Sequence, residues 1–184
     1  GVSFPMVNDG GESYGGSWGD YDNDDDLDLF VTNANENNFL YQNNGDGTFT
    51  KITDGVLFPM VNDGGGSRSS SWGDYDNDGD LDLFVTNTSN ENNFLYQNNG
   101  NGTFTKITDG VLFPMVNDGT YSTCSNWSDY DNDGDLDLFV TNHGNNFLYQ
   151  NNGNGTFTKI TDGVSFPMVN DGGTSRGSSW GDYD

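Results

Sequence analysis

The chain has 184 residues but only five cations, one cysteine, one histidine and four prolines. Each scarcity excludes something. Lys51, Lys106, Lys159, Arg68 and Arg176 are too few and too scattered for a phosphate-binding surface, which argues against nucleic acid and against anionic membranes as partners. No run of eighteen apolar residues is available to span a bilayer as a helix, and no basic stretch leads into an apolar one, so any export signal was removed or lies outside this sequence. Cys124 has no partner for an internal disulfide, and it stands where other units of the chain carry Gly15, Ser69 and Gly177, which marks it as a tolerated small residue. His143 lies in a segment of variable length without counterparts and is assigned no role. No serine or cysteine sits in a nucleophile motif beside a base, so the chain is not expected to be an enzyme. Apolar residues at helical spacing are also missing, and almost no helix is expected.

What abounds is acid. Twenty-nine acidic residues give a formal charge of −24, and eighteen of them fall in one recurring pattern. It reads Asp74-Tyr-Asp-Asn-Asp-Gly-Asp-Leu-Asp82, then Asp129 to Asp137 identically, and Asp20 to Asp28 with Asp25 in place of the glycine. Carboxylates at the first, third, fifth and ninth positions around a tight turn suit a hard cation that takes six to eight oxygen ligands, and calcium fits best. Without a counterion such clusters repel and resist compaction, so stability is expected to depend on the ion. An EF-hand is excluded: its twelfth position needs a bidentate Glu, whereas Val31, Val85 and Val140 stand there, and the residues that follow alternate as a strand.

The loop recurs because the chain recurs. Trp18, Trp72, Trp127 and Trp180 are 54, 55 and 53 residues apart, a period that signals a solenoid, propeller or array. The units are residues 1–54, 55–109, 110–162 and a partial fourth, 163–184. Length differences fall at Ala34 to Asn37, Thr88 to Asn92 and His143 to Asn145, as befits a surface loop.

Within a unit four short strands are legible. Ser69–Gly73 enters the acidic loop, and Leu81–Thr86 leaves it with Leu81, Leu83 and Val85 on one face and Phe84 on the other, so both faces should be covered. Asn93–Gln97 and Thr103–Ile107 flank Asn98-Asn-Gly-Asn-Gly102, whose Asn-Gly steps supply the positive φ of a hairpin. The segment Asp109–Gly119 should carry the chain from one outer strand to the next inner one. The expected fold is all-β, with tandem four-stranded antiparallel blades of the β-propeller type.

The run Trp-Gly-Asp-Tyr-Asp-Asn-Asp-Gly-Asp-Leu-Asp-Leu-Phe-Val-Thr-Asn, followed by Asn-Phe-Leu-Tyr-Gln-Asn-Asn-Gly-Asn-Gly-Thr-Phe-Thr, closely resembles the FG-GAP or VCBS repeat, the calcium-binding blade of integrin-α-like propellers. The resemblance covers the whole chain. It implies an extracellular or cell-surface protein, a ring of about seven blades, one calcium ion between the first two strands of each blade, and adhesion or carbohydrate binding. The implied side-chain ligands are Asp20, Asp22, Asp24 and Asp28, then Asp74, Asp76, Asp78 and Asp82, then Asp129, Asp131, Asp133 and Asp137. In this family the seventh position gives its main-chain carbonyl, so Asp26, Asp80 and Asp135 contribute charge and that oxygen. Asp25 departs from the pattern at a place where glycine adopts a left-handed backbone freely, which weakens the first site.

Three further expectations follow. The tryptophans are read as core residues packing between adjacent sheets. Asn87, Asn101, Asn126 and Asn154 match the N-glycosylation acceptor pattern. The sequence starts and stops inside the repeat, so unpaired blade faces are expected to meet further copies of the chain, in a ring or a fibril, unless the sequence is a window on a much longer protein. The leading function is a structural or adhesive calcium-stabilised module. The rival is a lectin-like propeller using loop asparagines such as Asn33, Asn37, Asn87 and Asn92 to hold a glycan.

Overall fold

A computed structural model describes residues 4–181. Twelve strands form three blades in chain order. The first holds β1 (Ser13–Gly19), β2 (Asp28–Glu36), β3 (Phe39–Asn43) and β4 (Phe49–Ile52). The second holds β5 (Gly65–Gly73), β6 (Asp82–Asn87), β7 (Phe94–Asn98) and β8 (Phe104–Ile107), and the third β9 (Ser122–Ser128), β10 (Asp137–Asn142), β11 (Phe147–Asn151) and β12 (Phe157–Ile160). Each is an antiparallel meander, with Leu83 opposite both Trp72 and Tyr96 in the second blade. The strands lie within one residue of their sequence-based bounds, except that β5 begins four residues earlier than the alternating run suggested. Among the described residues the only helical segments are four short 3-10 turns, each opened by a proline, such as Pro59–Val61.

The inner strands β1, β5 and β9 stand side by side. Serine hydroxyls join them, Ser17 to Ser70 at 2.7 Å and Ser71 to Ser125 at 2.8 Å. At the far end of each blade, a residue near the end of its second strand bridges to the start of the next blade's inner segment: Ala34 to Gly66, Glu91 to Thr120, His143 to Thr174. The residues 174–181 of the fourth unit thus begin along β9 as an inner strand would.

The hydrophobic cores lie between blades rather than within them. One joins Tyr21, Phe30 and Met60 to Leu83, Val85, Tyr96 and Phe104, and the next joins Tyr75, Phe84 and Met115 to Leu138, Val140, Tyr149 and Phe157. Fully burying one such side chain contributes about 1.5–3 kcal/mol. All six residues of β6 and of β10 are buried, so both faces of these strands are covered. Trp72 stacks on Tyr21 of the preceding blade at 6.3 Å and meets Phe30 edge-on, and Trp127 does the same with Tyr75 and Phe84. Trp18, in the first described blade, is 55% exposed. The glycine after β1's tryptophan is fixed by this packing: a Cβ on Gly19 or Gly73 would lie 2.8 or 2.7 Å from the next blade's indole.

Each connector is clamped by a set of residues that the motif reading overlooked. Asp63 accepts hydrogen bonds from Tyr96 Oη at 2.8 Å and from Lys106 Nζ at 3.0 Å, and the ammonium lies 3.7 Å above the Phe94 ring. Asp118, Tyr149, Lys159 and Phe147 repeat the arrangement, as do Asp9, Tyr41, Lys51 and Phe39. The aspartate is half-buried and offset by both a charge and a hydroxyl, which makes its partial desolvation tolerable.

Candidate metal-binding loops

The acidic segments are the turns from the first to the second strand of each blade, residues 20–28, 74–82 and 129–137. Their shape is set by left-handed backbone at two places. Asn23, Asn77 and Asn132 have φ of 58°, 59° and 59°, and Gly79 and Gly134 have 93° and 95°. Asp25 occupies the second place at 70°, a conformation that costs an L-residue roughly 1 kcal/mol.

Amide hydrogen bonds then aim the carboxylates. Asp74 accepts from the N–H groups of Asp78 at 3.1 Å and Gly79 at 3.0 Å, and Asp78 accepts from Asp80 at 3.0 Å. Gln97 donates to Asp76 at 2.6 Å from the neighbouring strand. Asp82, wholly buried, takes the N–H of Tyr75 at 3.2 Å and that of Asn98 at 2.8 Å. The same bonds recur in the first and third loops.

Three carboxylates per loop present oxygens within 4.8 Å of one another: Asp20, Asp22 and Asp28; Asp74, Asp76 and Asp78; Asp129, Asp131 and Asp137. Asp24, Asp82 and Asp133 complete the sets at one remove, each tied into its loop by a backbone amide. The seventh-position carboxylates of the second and third loops turn away: Asp80 Oδ1 accepts from Asn23 of the preceding blade at 2.7 Å and Asp135 Oδ1 from Asn77 at 2.8 Å. Only their main chain can face the centre.

Burial is the largest influence on the ninth-position acids. It lifts Asp28 to about 7, Asp82 to about 8 and Asp137 to about 6, with neighbouring carboxylates adding to the rise and two amide donors opposing it. Asp82 is highest because blades enclose it on both sides. Burial also raises Asp22 and Asp76. No protein cation relieves this charge among the described residues: the three lysines pair with Asp9, Asp63 and Asp118, Arg68 lies 4.1 Å over the Tyr14 ring, and the exposed Arg176 forms no salt bridge. An all-oxygen donor set, a tight turn and an unrelieved negative field together fit a hard divalent cation.

Other expected residues fare differently. Asn33 and Asn87 are fully buried and spent internally, Asn87 donating to the Asn92 carbonyl at 2.7 Å and accepting from Ser67 at 3.0 Å. Neither can reach a sugar, and Asn87 cannot be a glycan acceptor in the folded chain; Asn37, Asn92, Asn101 and Asn154 remain exposed. Asn126 donates to the Ser178 carbonyl at 2.9 Å. His143 stacks on Tyr121 with ring centroids 4.0 Å apart, a contact found in the third unit alone among the described residues.

Tandem four-stranded blades, cores between blades and an acidic turn in each define a propeller-type repeat protein. The FG-GAP-like repeat pattern matches residues 20–85, 74–125 and 129–184, and the chain belongs to that family. It is 32% identical over 120 residues to cartilage acidic protein 1 of Xenopus tropicalis, a match that covers 62% of this chain and 17% of that protein. Its fold is similar, with a TM-score of 0.55 and 21% identity, to an Agrocybe aegerita lectin that specifically recognises non-reducing terminal N-acetylglucosamine; 79% of this chain and 38% of that one are covered. The chain therefore spans well under half of either relative.

Proposed function

We propose that this chain is a non-enzymatic, calcium-stabilised extracellular repeat module with a structural or adhesive role. The observation that carries the reading is the repeated acidic turn whose carboxylates converge while every lysine is engaged elsewhere. Asp20, Asp22, Asp24 and Asp28 would hold one ion, Asp74, Asp76, Asp78 and Asp82 a second, and Asp129, Asp131, Asp133 and Asp137 a third, with Asp26, Asp80 and Asp135 adding main-chain oxygen. The ion's contribution would be positive charge in a crowded acidic turn. The chain's own part is to fix β1 against β2, β5 against β6 and β9 against β10 through the amide bonds already in place.

Extracellular modules bind calcium at about 10⁻⁴–10⁻³ M. At 1 mM calcium and a Kd near 10⁻⁴ M, each loop would add about 1.4 kcal/mol through linkage to folding. Thermal unfolding in 1 mM calcium and in excess EGTA tests this: a clear rise in Tm with calcium is expected, and an unchanged Tm would sink it. Magnesium, which prefers rigid octahedral sites, should raise Tm less.

With a formal charge of −24, nucleic acid and anionic membrane remain unfit partners, and no helix among the described residues is long and apolar enough to cross a membrane. Further copies of the chain are the partners this reading favours, because Trp18, Tyr14 and Leu27 are exposed on the first blade, whereas Trp72 and Trp127, the counterparts of Trp18, are packed. Light scattering in calcium should show mass above the monomer. A lectin function has the exposed Asn37 and Asn92 in its favour, and a glycan array read with and without calcium decides it.

A further inference from the structure

The three acidic loops are wired to one another by two sets of hydrogen bonds, and each set occurs at both blade interfaces. The first runs between fourth and seventh positions: Asn23 Nδ2 donates to Asp80 Oδ1 at 2.7 Å and Asn77 Nδ2 to Asp135 Oδ1 at 2.8 Å. The second passes through a buried asparagine at the end of the third strand. Asn98 Nδ2 donates to the Tyr21 carbonyl of the first loop at 2.7 Å, while the Asn98 N–H donates to Asp82 of the second loop at 2.8 Å. Asn151 does the same between the Tyr75 carbonyl and Asp137, at 2.7 and 2.8 Å. The tyrosine whose carbonyl is grasped gives its own N–H to the ninth-position acid of its loop, Tyr21 to Asp28 and Tyr75 to Asp82.

On the reading that each loop holds a divalent cation, we infer that the loops bind it with positive cooperativity, and that Asn23 and Asn77 together with Asn98 and Asn151 are the positioning residues that couple them. A loop that closes on its ion fixes the left-handed residue at its fourth position, and that residue holds the seventh position of the next loop, where the main-chain oxygen is to be delivered. The second loop then has less backbone freedom to lose when its own ion arrives, which is how shared ordering couples sites without a change of shape. The opposing effect is electrostatic: an ion in one loop reduces the negative field felt by the next. That effect runs through solvent and fades beyond a Debye length of about 8 Å at 0.15 M salt. The hydrogen bonds are direct and are not screened.

The test uses the full chain with the third loop disabled by Asp129→Asn and Asp131→Asn. Calcium titration calorimetry is then run on this two-loop chain and on two one-loop chains, made by adding Asp20→Asn with Asp22→Asn, or Asp74→Asn with Asp76→Asn. The overall constant of the two-loop chain should exceed the product of the one-loop constants by about fivefold, the low end of measured site-to-site coupling. The excess should persist at 0.5 M salt, shrink with Asn23→Gly, a variant that keeps the left-handed turn and removes the amide, and fall to near unity when Asn98→Ala is added. Asn132 supplies the control: it has the same backbone at the same position of the third loop, and among the described residues it bonds to no other loop. In the two-loop chain Asn132→Gly should leave the coupling of the first two loops intact. A product equal to the overall constant, or an excess that Asn23→Gly leaves undiminished, overturns the inference while leaving calcium binding standing. One-loop chains that take up no calcium would instead overturn the metal reading beneath it, and the coupling with it.

Discussion

The buried ninth-position carboxyls make the stability of the calcium-free chain fall as pH rises through neutrality. Asp28, Asp82 and Asp137 sit at about 7, 8 and 6 in the folded chain, against roughly 3.9 for aspartate in an unfolded one. Their folded values are raised, so the folded state holds protons that the unfolded state has released. The resulting stability is fully present below about pH 4 and is lost as pH climbs through each folded value. One pKa unit is worth about 1.4 kcal/mol, and so between pH 5 and pH 7 each carboxyl withdraws roughly 1–3 kcal/mol, least for Asp137 and most for Asp82. A bound cation reverses the sign, because it selects the deprotonated form and drives the folded value below 3.9; stability is then flat from pH 5 to 8 and lost only under more acid conditions. Tm followed by circular dichroism at pH 5, 6, 7 and 8 should therefore decline in metal-free buffer, hold level in 5 mM calcium, and show a gap that widens with pH. A metal-free Tm that is flat or rises over this range would refute the reasoning, since it would mean that these carboxyls are ionised without cost. Asp82→Asn should remove the largest part of the metal-free decline.

Gly73→Ala should destabilise the chain by about 1–3 kcal/mol in urea unfolding, because its Cβ would lie 2.7 Å from the Trp127 ring, which is held between Tyr75 and Phe157. Trp72→Ala should cost about 3 kcal/mol, whereas Trp18→Ala, at an exposed position, should cost under about 1 kcal/mol in the monomer. Asp25→Gly should stabilise by roughly 0.5–1 kcal/mol, since it relieves a left-handed aspartate and removes a charge from a crowded loop, and calcium should bind the first loop more tightly in calorimetry.

The strands were legible because they alternate in short runs between turn residues, and the blade because the pattern repeats in phase. The acidic loop was legible for the same reason: its carboxylates are close in sequence and locked together by local amide bonds. What escaped were contacts between residues far apart in the chain. Asp63, Tyr96 and Lys106 form one clamp across more than forty residues, and no motif announces it. A signal existed nonetheless, since three of the five cations, Lys51, Lys106 and Lys159, recur once per unit, and a charge kept in phase in so acidic a chain must be paired. Asn33 and Asn87 were misjudged as available because asparagine in a loop looks exposed in sequence. Their burial follows from the loop between the second and third strands of their own blade, where an amide side chain satisfies backbone groups that no strand reaches.

The placement of the cores explains why the carboxylates of the acidic loops cannot simply be spread over the surface. Each core is shared by two blades, so a blade folds stably only with its neighbour against it, and the loops are brought into register whenever the cores form. Tyr21 lies in the first loop and in the core between the first two blades at once, as Tyr75 does in the second. Moving the loop carboxylates apart would therefore pull an aromatic ring out of a core. The chain cannot relieve repulsion by local distortion without losing blade packing, and every lysine is committed to a connector, which leaves protonation of the buried acids or a bound cation to relieve it. On the proposed reading, cation occupancy and blade stacking are therefore parts of one equilibrium.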